Sequence, residues 1–390
     1  MSATNQCIIE EFLIHSDRRK EGEKPFDLTP FIAAVDYYED IFSPCVTLKV
    51  LVINEAQVVT EDEEDTESTD DKLKALYNAL PIRGGEICRI KIGANVETNI
   101  PLDFSEKAQD YMYVTGITGV TRDAKREMFT LNLTSREAIV NETVRCYKKY
   151  SPDQNIGASV ENILTDTLGI DKDRFSVEMA ANSYGFIGNL KKPFPTIVWL
   201  AKKSVSASTG GGSAGFLFFQ TKTGYKFKSV DSLMRQETYK LTSNSGEKLK
   251  APPFYYGEAT QGFDENDRPV NTDFKILSFS ILQNNDIVKN LKLGTYSSTG
   301  MYFNPYNFEF ETLHYKRKDE IKKDNMSLMG SEDPTRYPLK LDPDNKTGSE
   351  DTIEDTATRS LTGILDIGVL ARKDTNLSLI HISEPTRRPI

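Results

Sequence analysis

Histidine is scarce in this sequence, and this limits the acid–base and metal chemistry open to the chain. His15 and His314 are the only histidines before the last fourteen residues. Neither has a second histidine four residues away, the spacing by which one face of a helix binds zinc. His314 precedes Tyr315, Lys316 and Arg317, a context that favours a surface position over a ligand role. The pattern predicts no catalytic residue, no metal site and no cofactor site.

A glycine cluster contains the spacing of a dinucleotide-binding loop. Gly210, Gly212 and Gly215 fit the motif G-x-G-x-x-G. In dinucleotide-binding folds that motif follows a strand and opens a helix, whose N-terminus faces the phosphates. Here a predicted helix precedes the cluster and a predicted strand follows it. The run from Ser204 to Gly215 is therefore interpreted as a flexible connector.

The densest charge lies between Glu61 and Asp71, where eight of eleven residues are carboxylates. Clustered carboxylates could bind calcium, but the D-x-[DN]-x-[DN]-G turn that holds calcium ligands in place is missing. Because these carboxylates repel one another, the segment is instead predicted to be a solvated loop. The basic run 316–323 also contains Asp319 and Glu320, so it is interpreted as solvated too.

The overall charge excludes some classes of partner. A net charge of -10 disfavours a protein that wraps nucleic acid, because such binding depends on Lys and Arg at phosphates. The four cysteines form no C-x-x-C pair and are predicted to be buried thiols. No apolar run approaches membrane-spanning length, and no basic and apolar leader opens the sequence, so neither membrane insertion nor secretion is indicated. The cysteines are Cys7, Cys45, Cys88 and Cys146.

Short strands dominate the first third of the chain. Tyr111–Thr121 should pair with Met128–Thr134 across a short turn, and the turn Leu80–Glu86 should lead into a strand. Five or six strands joined by turns predict an antiparallel barrel or sandwich. The strand-like runs cover residues 6–15, 31–38, 45–53, 87–92, 111–121 and 128–134.

Two amphipathic helices are predicted to follow these strands. Ser135 should cap the first helix, which should end at Cys146. The second should cover Ile156–Leu168, with Gly169 as its stop. The expected apolar positions of the first are Ala138, Ile139, Val140 and Val144, and those of the second are Ile156, Val160, Ile163, Leu164 and Leu168.

A buried helix and a hairpin should come next. Pro195 suits a first helical turn, and the run 197–201 is apolar nearly all round, followed by two lysines at the C-terminus. A hairpin should form around Lys222-Thr223-Gly224, with a three-residue loop and Gly224 in the left-handed region. This register would place Leu217, Phe219, Tyr225 and Phe227 on one face, and Lys226 and Lys228 on the other.

A second β-rich region is predicted beyond the hairpin. Phe274–Leu282 resembles a strand, Asp286–Leu291 a short helix, and Tyr302–Tyr315 carries aromatic residues at nearly every second position. Leu361–Leu370 is an apolar run. The last fourteen residues, 377–390, resemble a translated vector or adaptor sequence, so the native chain is expected to differ after Asn376. Without them the net charge changes from -10 to -11.

The fold class expected from these elements is α+β, mainly antiparallel β, with two β-domains joined by a helical module. The division is a first β-domain at 1–135 with an acidic loop at 55–72, a helical and mixed module at 136–209, a second β-rich region at 210–315, a polar and incomplete barrel end at 316–376, and a non-native tail at 377–390.

Several segments resemble one family in both sequence and order. They are YGFIGNLKKPFPTIVWLAKKSV from Tyr184, the glycine-rich connector, GFLFFQTKTGYKFKSVDSL from Gly215, NNDIVKNLKLGTYSSTG from Asn284, VDYYEDIFSPCVTLKVLV from Val35 and LPIRGGE from Leu80. In these the chain resembles the baseplate central hub proteins of T4-like contractile-tailed bacteriophages, especially those of marine phages. The resemblance covers most of residues 6–315 and is specific between Tyr184 and Leu233.

The resemblance implies a structural virion protein and not an enzyme. In that family three subunits each supply two tube-like β-barrels, so that a threefold ring presents six barrels to the sixfold tail tube. The other face of the ring holds the cell-puncturing spike. A homotrimer in the tail baseplate, assembled in the host bacterial cytoplasm, is therefore expected, with the tail tube protein, the spike protein and other baseplate proteins as partners. DNA would pass through without specific binding, and the acidic charge suits such a conduit.

The alternative is a phage-associated β-protein that binds carbohydrate or degrades cell walls. Aromatic side chains in the second β-rich region could stack on sugars, although alternating aromatics are more often the core face of a strand. The residues concerned are Tyr296, Tyr302, Phe303, Tyr306, Phe308 and Phe310.

Overall fold

The chain forms two compact units in a computed structural model. The structure describes residues 8–16, 25–54, 82–93, 101–123, 126–207, 215–234, 240–242, 248–250, 278, 280, 286–294, 296–304, 308–316 and 359–364. Unit 1 comprises Met1–Thr143, Gln220–Lys222 and Thr238–Phe279, and unit 2 comprises Val144–Phe219, Thr223–Glu237 and Ser280–Ile390.

Strands account for most of the regular structure. They are β1 (Ile8–His15), β2 (Phe26–Asp27), β3 (Ile32–Tyr38), β4 (Thr47–Asn54), β5 (Ile87–Gly93), β6 (Leu102–Asp103), β7 (Met112–Arg122), β8 (Glu127–Ser135), β9 (Lys149–Tyr150), β10 (Phe175–Val177), β11 (Phe186–Ile187), β12 (Phe216–Thr221), β13 (Gly224–Ser229), β14 (Lys240–Thr242), β15 (Lys248–Lys250), β16 (Ser297–Asn304), β17 (Glu309–Lys316) and β18 (Arg359–Ile364).

The helices are short. They are α1 (Arg136–Thr143), α2 (Ile156–Asn162), α3 (Pro193–Ala201), α4 (Val230–Met234) and α5 (Ile287–Leu293). A π-helical turn, Ile163–Thr167, continues α2, and single 3-10 turns lie at Thr29–Phe31 and Lys172–Arg174. In the described part of the chain, no helix is long and apolar enough to cross a membrane.

Unit 1 has one large antiparallel sheet, and β14 and β15 form a separate antiparallel pair. The described strands of the large sheet lie in the order β2-β1-β5-β7-β8-β4-β3, with β6 beside β5. Buried side chains alternate with more exposed ones along β4 and β5, as the period of a strand requires. One core gathers the buried side chains of the whole sheet, among them the fully buried Phe12, Val50, Ile90 and Leu131. A single sheet that buries one face in one core must curl around it.

The pairing of the described strands does not close this sheet into a barrel. Among them, β2 pairs only with β1, and β3 only with β4. The turn Thr29–Phe31 connects β2 to β3 and contacts β1, because the Phe12 N–H donates to Thr29 Oγ1 at 2.9 Å. The Leu28 N–H also donates to the Phe12 carbonyl at 2.9 Å. The observed form is a curled open sheet, and the tube-like barrel stays a prediction.

Helix α1 differs from its prediction in length and in the face that it buries. It ends three residues before Cys146. Its most buried side chains are Glu137 and Asn141, whereas the apolar run 138–140 is half-buried. Arg136 Nη1 lies 3.9 Å from Glu137 Oε1, so a cation compensates the buried carboxylate. Apolar periodicity could not reveal a helix that buries polar groups.

The helix that begins at Ile156 agrees with its prediction. The Asn155 side chain caps it by accepting a hydrogen bond from the Gly157 N–H at 2.8 Å. The π-helical turn extends it, and Gly169 ends it with a φ of 67°. The five predicted apolar residues are all buried: Ile156, Val160, Ile163, Leu164 and Leu168.

Helix α3 begins at Pro193, so Pro195 lies in its first turn, as predicted. Pro193 occupies its first turn, where a missing N–H costs nothing, and Lys202 forms its C-cap. Ile197 and Leu200 are fully buried, but Val198 remains 37% exposed. The helix therefore buries one face rather than its whole circumference.

The β12–β13 hairpin forms with a shorter turn than predicted. The turn contains only Lys222 and Thr223, and β13 begins at Gly224, whose φ is 108°. A side chain at Gly224 would collide with the Arg174 carbonyl, because β10 pairs in parallel beside β13. Glycine is required here by close backbone approach as well as by φ.

The shorter turn changes which residues of β12 face the core. Phe216 contacts Phe227 at 4.9 Å between ring centroids, and Phe218 contacts Tyr225 at 5.9 Å. A shift of one residue moves every side chain of a strand to the opposite face. Lys226 and Lys228 alternate with the buried residues of β13, as predicted. The residues wrongly predicted for the shared face are Leu217 and Phe219.

The second β-rich region contains a three-stranded sheet in the order β17-β16-β18. The buried Tyr302 ring lies beside two glycines of this sheet: an added side chain at Gly300 would collide with the ring, and one at Gly363 would contact it tightly. Burial raises the pKa of Tyr302 to about 12. Helix α5 matches its prediction, with Asp286 as N-cap, but ends two residues later. Most of Phe274–Leu282, and of the apolar run after Ile364, lies outside the described residues.

Gln220–Lys222, at the turn of the β12–β13 hairpin, belong to unit 1. The buried Gln220 side chain accepts a hydrogen bond from the Val46 N–H at 3.0 Å through Oε1. The same atom accepts a hydrogen bond from Ser135 Oγ at 2.8 Å. These bonds satisfy two donors at the ends of β4 and β8. The sheet of unit 1 thus depends on an amide that lies far away in the sequence.

Substitution of Gln220 by Leu is expected to destabilise unit 1. The change keeps the volume but leaves two buried donors without an acceptor, at a cost of about 1–3 kcal/mol. Hydrogen exchange of peptides from β4 and β8, followed by mass spectrometry, measures this loss. The double variant with Ser135→Ala should recover part of it. Unchanged protection of both strands would contradict this role.

Candidate assembly surface

His15 lies at the end of β1 within a cluster of charged and aromatic side chains. Arg89 Nη2 is 3.5 Å from Glu11 Oε1, and the Arg89 guanidinium lies 5.9 Å from the centre of the Tyr111 ring. Burial lowers the pKa of His15 below its ordinary value of 6.5, the charge of Arg89 lowers it further, and Glu11 partly opposes both. These contacts tie β1 to β5, so we assign His15 a structural role.

His314 lies on β17 at an exposed position, as predicted. Its Nδ1 is 3.0 Å from Thr299 Oγ1 on the neighbouring strand. The two histidines belong to different units. Within the described residues, no group of three potential metal ligands occurs.

The cysteines described are free thiols. Cys88 and Cys146 are buried, in agreement with the prediction, but Cys45 is only half-buried, and Cys7 lies outside the described residues. Burial raises the pKa of the Cys88 thiol, and nearby Glu86 raises it further. Such a thiol is a poor nucleophile and behaves as a core residue.

The glycine cluster lies between α3 and β12 in the sequence. Gly210 and Gly212 lie outside the described residues, and Gly215 leads directly into β12. The run Gly211–Gly215 also fits G-x-S-x-G, so the expectation from sequence that this motif is absent was wrong. That motif in serine hydrolases follows a strand and opens a helix. Here α3 precedes it and a strand follows, so the order is wrong for both nucleotide binding and a nucleophile.

The acidic run Glu61–Asp71 lies outside the described residues, as does the basic run beyond Lys316. Their solvated character stays a prediction.

The edge of the unit 1 sheet carries the clearest exposed apolar surface of that unit. Strand β3 pairs with β4 on one side only, among the described strands. At its end, Tyr38 is 47% exposed, Ile41 47% and Phe42 77%. We call these three residues and β3 the apolar edge. An edge strand with unpaired backbone groups and adjacent apolar side chains can add a strand or a hydrophobic contact from another chain.

Hydrogen bonds fix the turn that presents Phe42. The Phe42 N–H donates to Asp40 Oδ1 at 2.9 Å, and the Ser43 N–H donates to the Asp40 carbonyl at 3.0 Å. Residues 39–44 lie between the predicted strand-like runs 31–38 and 45–53, and no role was predicted for them. The adjacent apolar pair Ile41-Phe42 within a turn was the missed signal.

The base of this turn is held by Glu39 and Lys222. Glu39 Oε1 accepts hydrogen bonds from Tyr37 Oη and from the Lys222 N–H, both at 2.6 Å. The Lys222 ammonium donates to the Pro101 carbonyl. Burial lowers the pKa of Lys222, whereas surrounding carboxylates, with Asp103 foremost, oppose that change. The lysine is engaged with backbone, so its geometry favours an anchor for the turn over a reactive amine.

A smaller apolar surface lies on the three-stranded sheet of unit 2. Phe303 contacts Phe310 at 5.3 Å and Phe308 at 6.0 Å between ring centroids. Phe308 is 77% exposed and Phe310 68%. Of the other predicted aromatics, Tyr296 and Tyr302 are buried, and Tyr306 lies outside the described residues.

No protein-family model matches the sequence, and no curated protein matches it. Solved structures do match. A 43 kDa tail protein of prophage MuSo2 from Shewanella oneidensis is 12% identical with a TM-score of 0.36, over 56% of this chain and 53% of that chain. A tail protein from Neisseria meningitidis MC58 is 9% identical with a TM-score of 0.38, over 91% and 71%. An E. coli component of the type VI secretion system, described as structurally similar to T4 bacteriophage tail proteins, is 10% identical with a TM-score of 0.28, over 57% and 46%.

Two of these neighbours are described as tail proteins, and the third as a component of a type VI secretion system. The chain spans about half the length of the Shewanella and E. coli proteins. TM-scores below 0.5 at such identities establish neither a shared fold nor a shared function.

Replacement of His15 by Gln is expected to flatten the pH dependence of stability. The unfolded chain protonates His15 near pH 6.5, whereas the folded chain does so only at lower pH. The stability that the folded chain has with His15 neutral is therefore fully present above pH 6.5. It is lost as the pH falls from 6.5 toward the pKa of His15 in the folded chain. Urea unfolding at about pH 7.5 and about pH 5.5 should show a smaller difference for His15→Gln than for the wild type. His314→Gln is the control, and equal differences in all three proteins would exclude this contribution.

Proposed function

We propose that the protein is a baseplate central hub subunit of a T4-like contractile-tailed bacteriophage. Three copies form a ring that joins the tail tube to the cell-puncturing spike, and DNA passes through it without specific binding. The protein is a structural component of the virion rather than an enzyme. Its partners are further copies of itself, the tail tube protein, the spike protein and other baseplate proteins, and it assembles in the host bacterial cytoplasm.

The apolar edge is the observation that carries the assembly part of this proposal. A curled sheet that leaves β3 unpaired on one side, with Phe42 77% exposed beside it, suits contact with another copy. The hub assignment itself depends on the sequence resemblance between Tyr184 and Leu233. Helix α3 and the β12–β13 hairpin are the elements that this resemblance covers.

Light scattering after chromatography tests the ring directly. Protein that ends at Asn376 is expected to have the mass of a trimer, since stable rings bury about 2,000 Å² or more at each contact. The substitution Phe42→Asp should weaken association at least about tenfold, because it places a charge in an apolar contact. Val120→Asp is the matched control, since Val120 is 44% exposed in the same unit. A monomeric wild type, or equal effects of both substitutions, would contradict the proposal.

A second candidate function is carbohydrate binding through the exposed Phe308 and Phe310 rings. Exposed aromatic faces can stack on sugars, and this cluster offers two of them. If this function holds, the purified protein should bind peptidoglycan fragments saturably, and Phe310→Ala should weaken binding about tenfold. Val288→Ala is the control, since Val288 is 56% exposed elsewhere in unit 2. Absence of saturable binding excludes this candidate.

A further inference from the structure

A two-stranded ladder in unit 2 joins two segments that are distant in sequence. Strands β9 and β11 pair antiparallel, and an isolated bridge links Cys146 to Lys191. The Gly188 N–H donates to the Lys148 carbonyl at 3.1 Å, and the Leu190 N–H donates to the Cys146 carbonyl at 2.9 Å. A side chain at Gly188 would collide with the Cys146 carbonyl. Residues 145–150 and 186–191 are thus held together closely.

The two sides of this ladder differ. On one side Tyr150 stacks on Phe186 at 4.3 Å, and Trp199 meets Phe186 edge-on at 5.5 Å. On the other side Lys149 lies directly opposite Ile187, and both are exposed. The first side is packed, so the second faces outward.

The outward side and its turn expose large apolar side chains. Tyr147 is 73% exposed, Leu190 67% and Ile187 59%. Contiguous exposed apolar side chains are typical of contact surfaces. We call these three residues, with Arg145, Lys148, Lys149 and Lys191, the basic apolar patch.

Leu190 is presented by an uncommon backbone conformation. Asn189 and Leu190 have φ values of 50° and 56°, and the Lys191 N–H closes the turn on the Gly188 carbonyl at 3.0 Å. Asparagine tolerates the left-handed region, whereas leucine rarely adopts it. A strained residue that projects an exposed apolar side chain indicates a role for that side chain in contact.

The charge of the patch is opposite to that of the protein. Residues 144–150 and 186–192 contain five cations and no carboxylate, while the chain carries a net charge of -10. One cation, Lys148, pairs with Asp166 at 2.6 Å, and another, Lys191, lies 5.5 Å from the centre of the Trp199 ring. A local positive surface on an acidic protein attracts an acidic partner.

We propose that the basic apolar patch binds the acidic segment Glu61–Asp71 of a second copy of this chain. That segment has eight carboxylates in eleven residues, and Val58, Val59 and Leu73 flank it. It therefore offers both negative charge for the cations and aliphatic side chains for Tyr147, Ile187 and Leu190. A nucleic acid would match the positive charge of the patch, but its phosphate backbone is a poor partner for the exposed aliphatic residues. This contact between copies goes beyond the proposed hub role. It can be tested with the purified chain alone.

Peptide binding tests the two halves of the contact. The receptor is the full chain with Glu61–Asp71 replaced by Gly and Ser, and the probe is a labelled peptide of residues 57–73. We expect saturable binding that weakens with added salt and falls at least about tenfold in Lys149→Glu/Lys191→Glu. The matched control is Lys172→Glu/Lys202→Glu, at exposed lysines outside the patch. No binding, equal losses in both double variants, or binding of duplex DNA in preference to the peptide would overturn the proposal.

Leu190→Asn separates contact from structure. Asparagine suits the left-handed backbone, so the melting temperature should stay equal or rise, while peptide binding should fall several-fold. Binding equal to that of the parent receptor would exclude Leu190 from the contact and overturn the apolar half of the proposal.

Mixing two defective copies tests whether the contact forms between chains. One copy lacks the acidic segment, the other carries Lys149→Glu/Lys191→Glu, and both carry Phe42→Asp to weaken the contact at the apolar edge, at a protein concentration where Phe42→Asp alone prevents that contact. Each should remain monomeric alone, and the mixture should form a complex of higher mass. A mixture without such a complex would overturn binding to a second copy, while leaving the hub proposal to its own test.

Discussion

The burial of one face of the unit 1 sheet in one core is the constraint on which that unit depends. Because β1, β4, β5, β7 and β8 all send alternate side chains into the same cluster, the sheet must curl, and the side chains of its other face are mostly half-buried. Curling brings the two ends of the sheet near the turn Thr29–Phe31 without pairing them. The backbone of β3 therefore remains available on one side. The core that stabilises the unit thus also leaves the edge that we propose as a contact between copies.

Much of this architecture could be predicted from sequence, because the signals were local. Alternation identified β4, β5 and β8, a cap and a glycine bounded the helix from Ile156, and the hairpin was located to within its turn. The errors arose where a distant or polar contact decides. The turn at Lys222–Thr223 is one residue shorter than predicted, and this reversed the predicted faces of β12. The turn lies beside β10, and no local pattern in the sequence reveals that neighbour. Helix α1 buries Glu137 and Asn141 for the same kind of reason.

The contact surfaces were harder to predict than the fold. Phe42 and Leu190 are exposed apolar residues in turns, and a sequence pattern does not distinguish an exposed apolar residue from a buried one. Tyr147 and Ile187 lie forty residues apart and form one surface only because β9 and β11 pair. The expectation that aromatics of the second β-rich region fill a core holds for Tyr296 and Tyr302 but not for Phe308 and Phe310. Whether an aromatic side chain is buried depends on neighbouring residues that the local sequence does not reveal.

The distribution of charge connects the two proposals. A ring of identical acidic subunits repels itself, so its contacts must supply enough local attraction to offset that repulsion. Apolar contact at the edge of β3 supplies attraction that does not depend on salt, whereas the pairing of a basic patch with an acidic segment supplies attraction that fails when salt is added. Residues 145–149 and 191–192 carry five cations and Glu61–Asp71 carries eight carboxylates, so the rest of the chain, at -10 + 8 - 5, keeps a net charge of -7. The same separation that lets copies attract one another would therefore keep the other surfaces repellent to DNA.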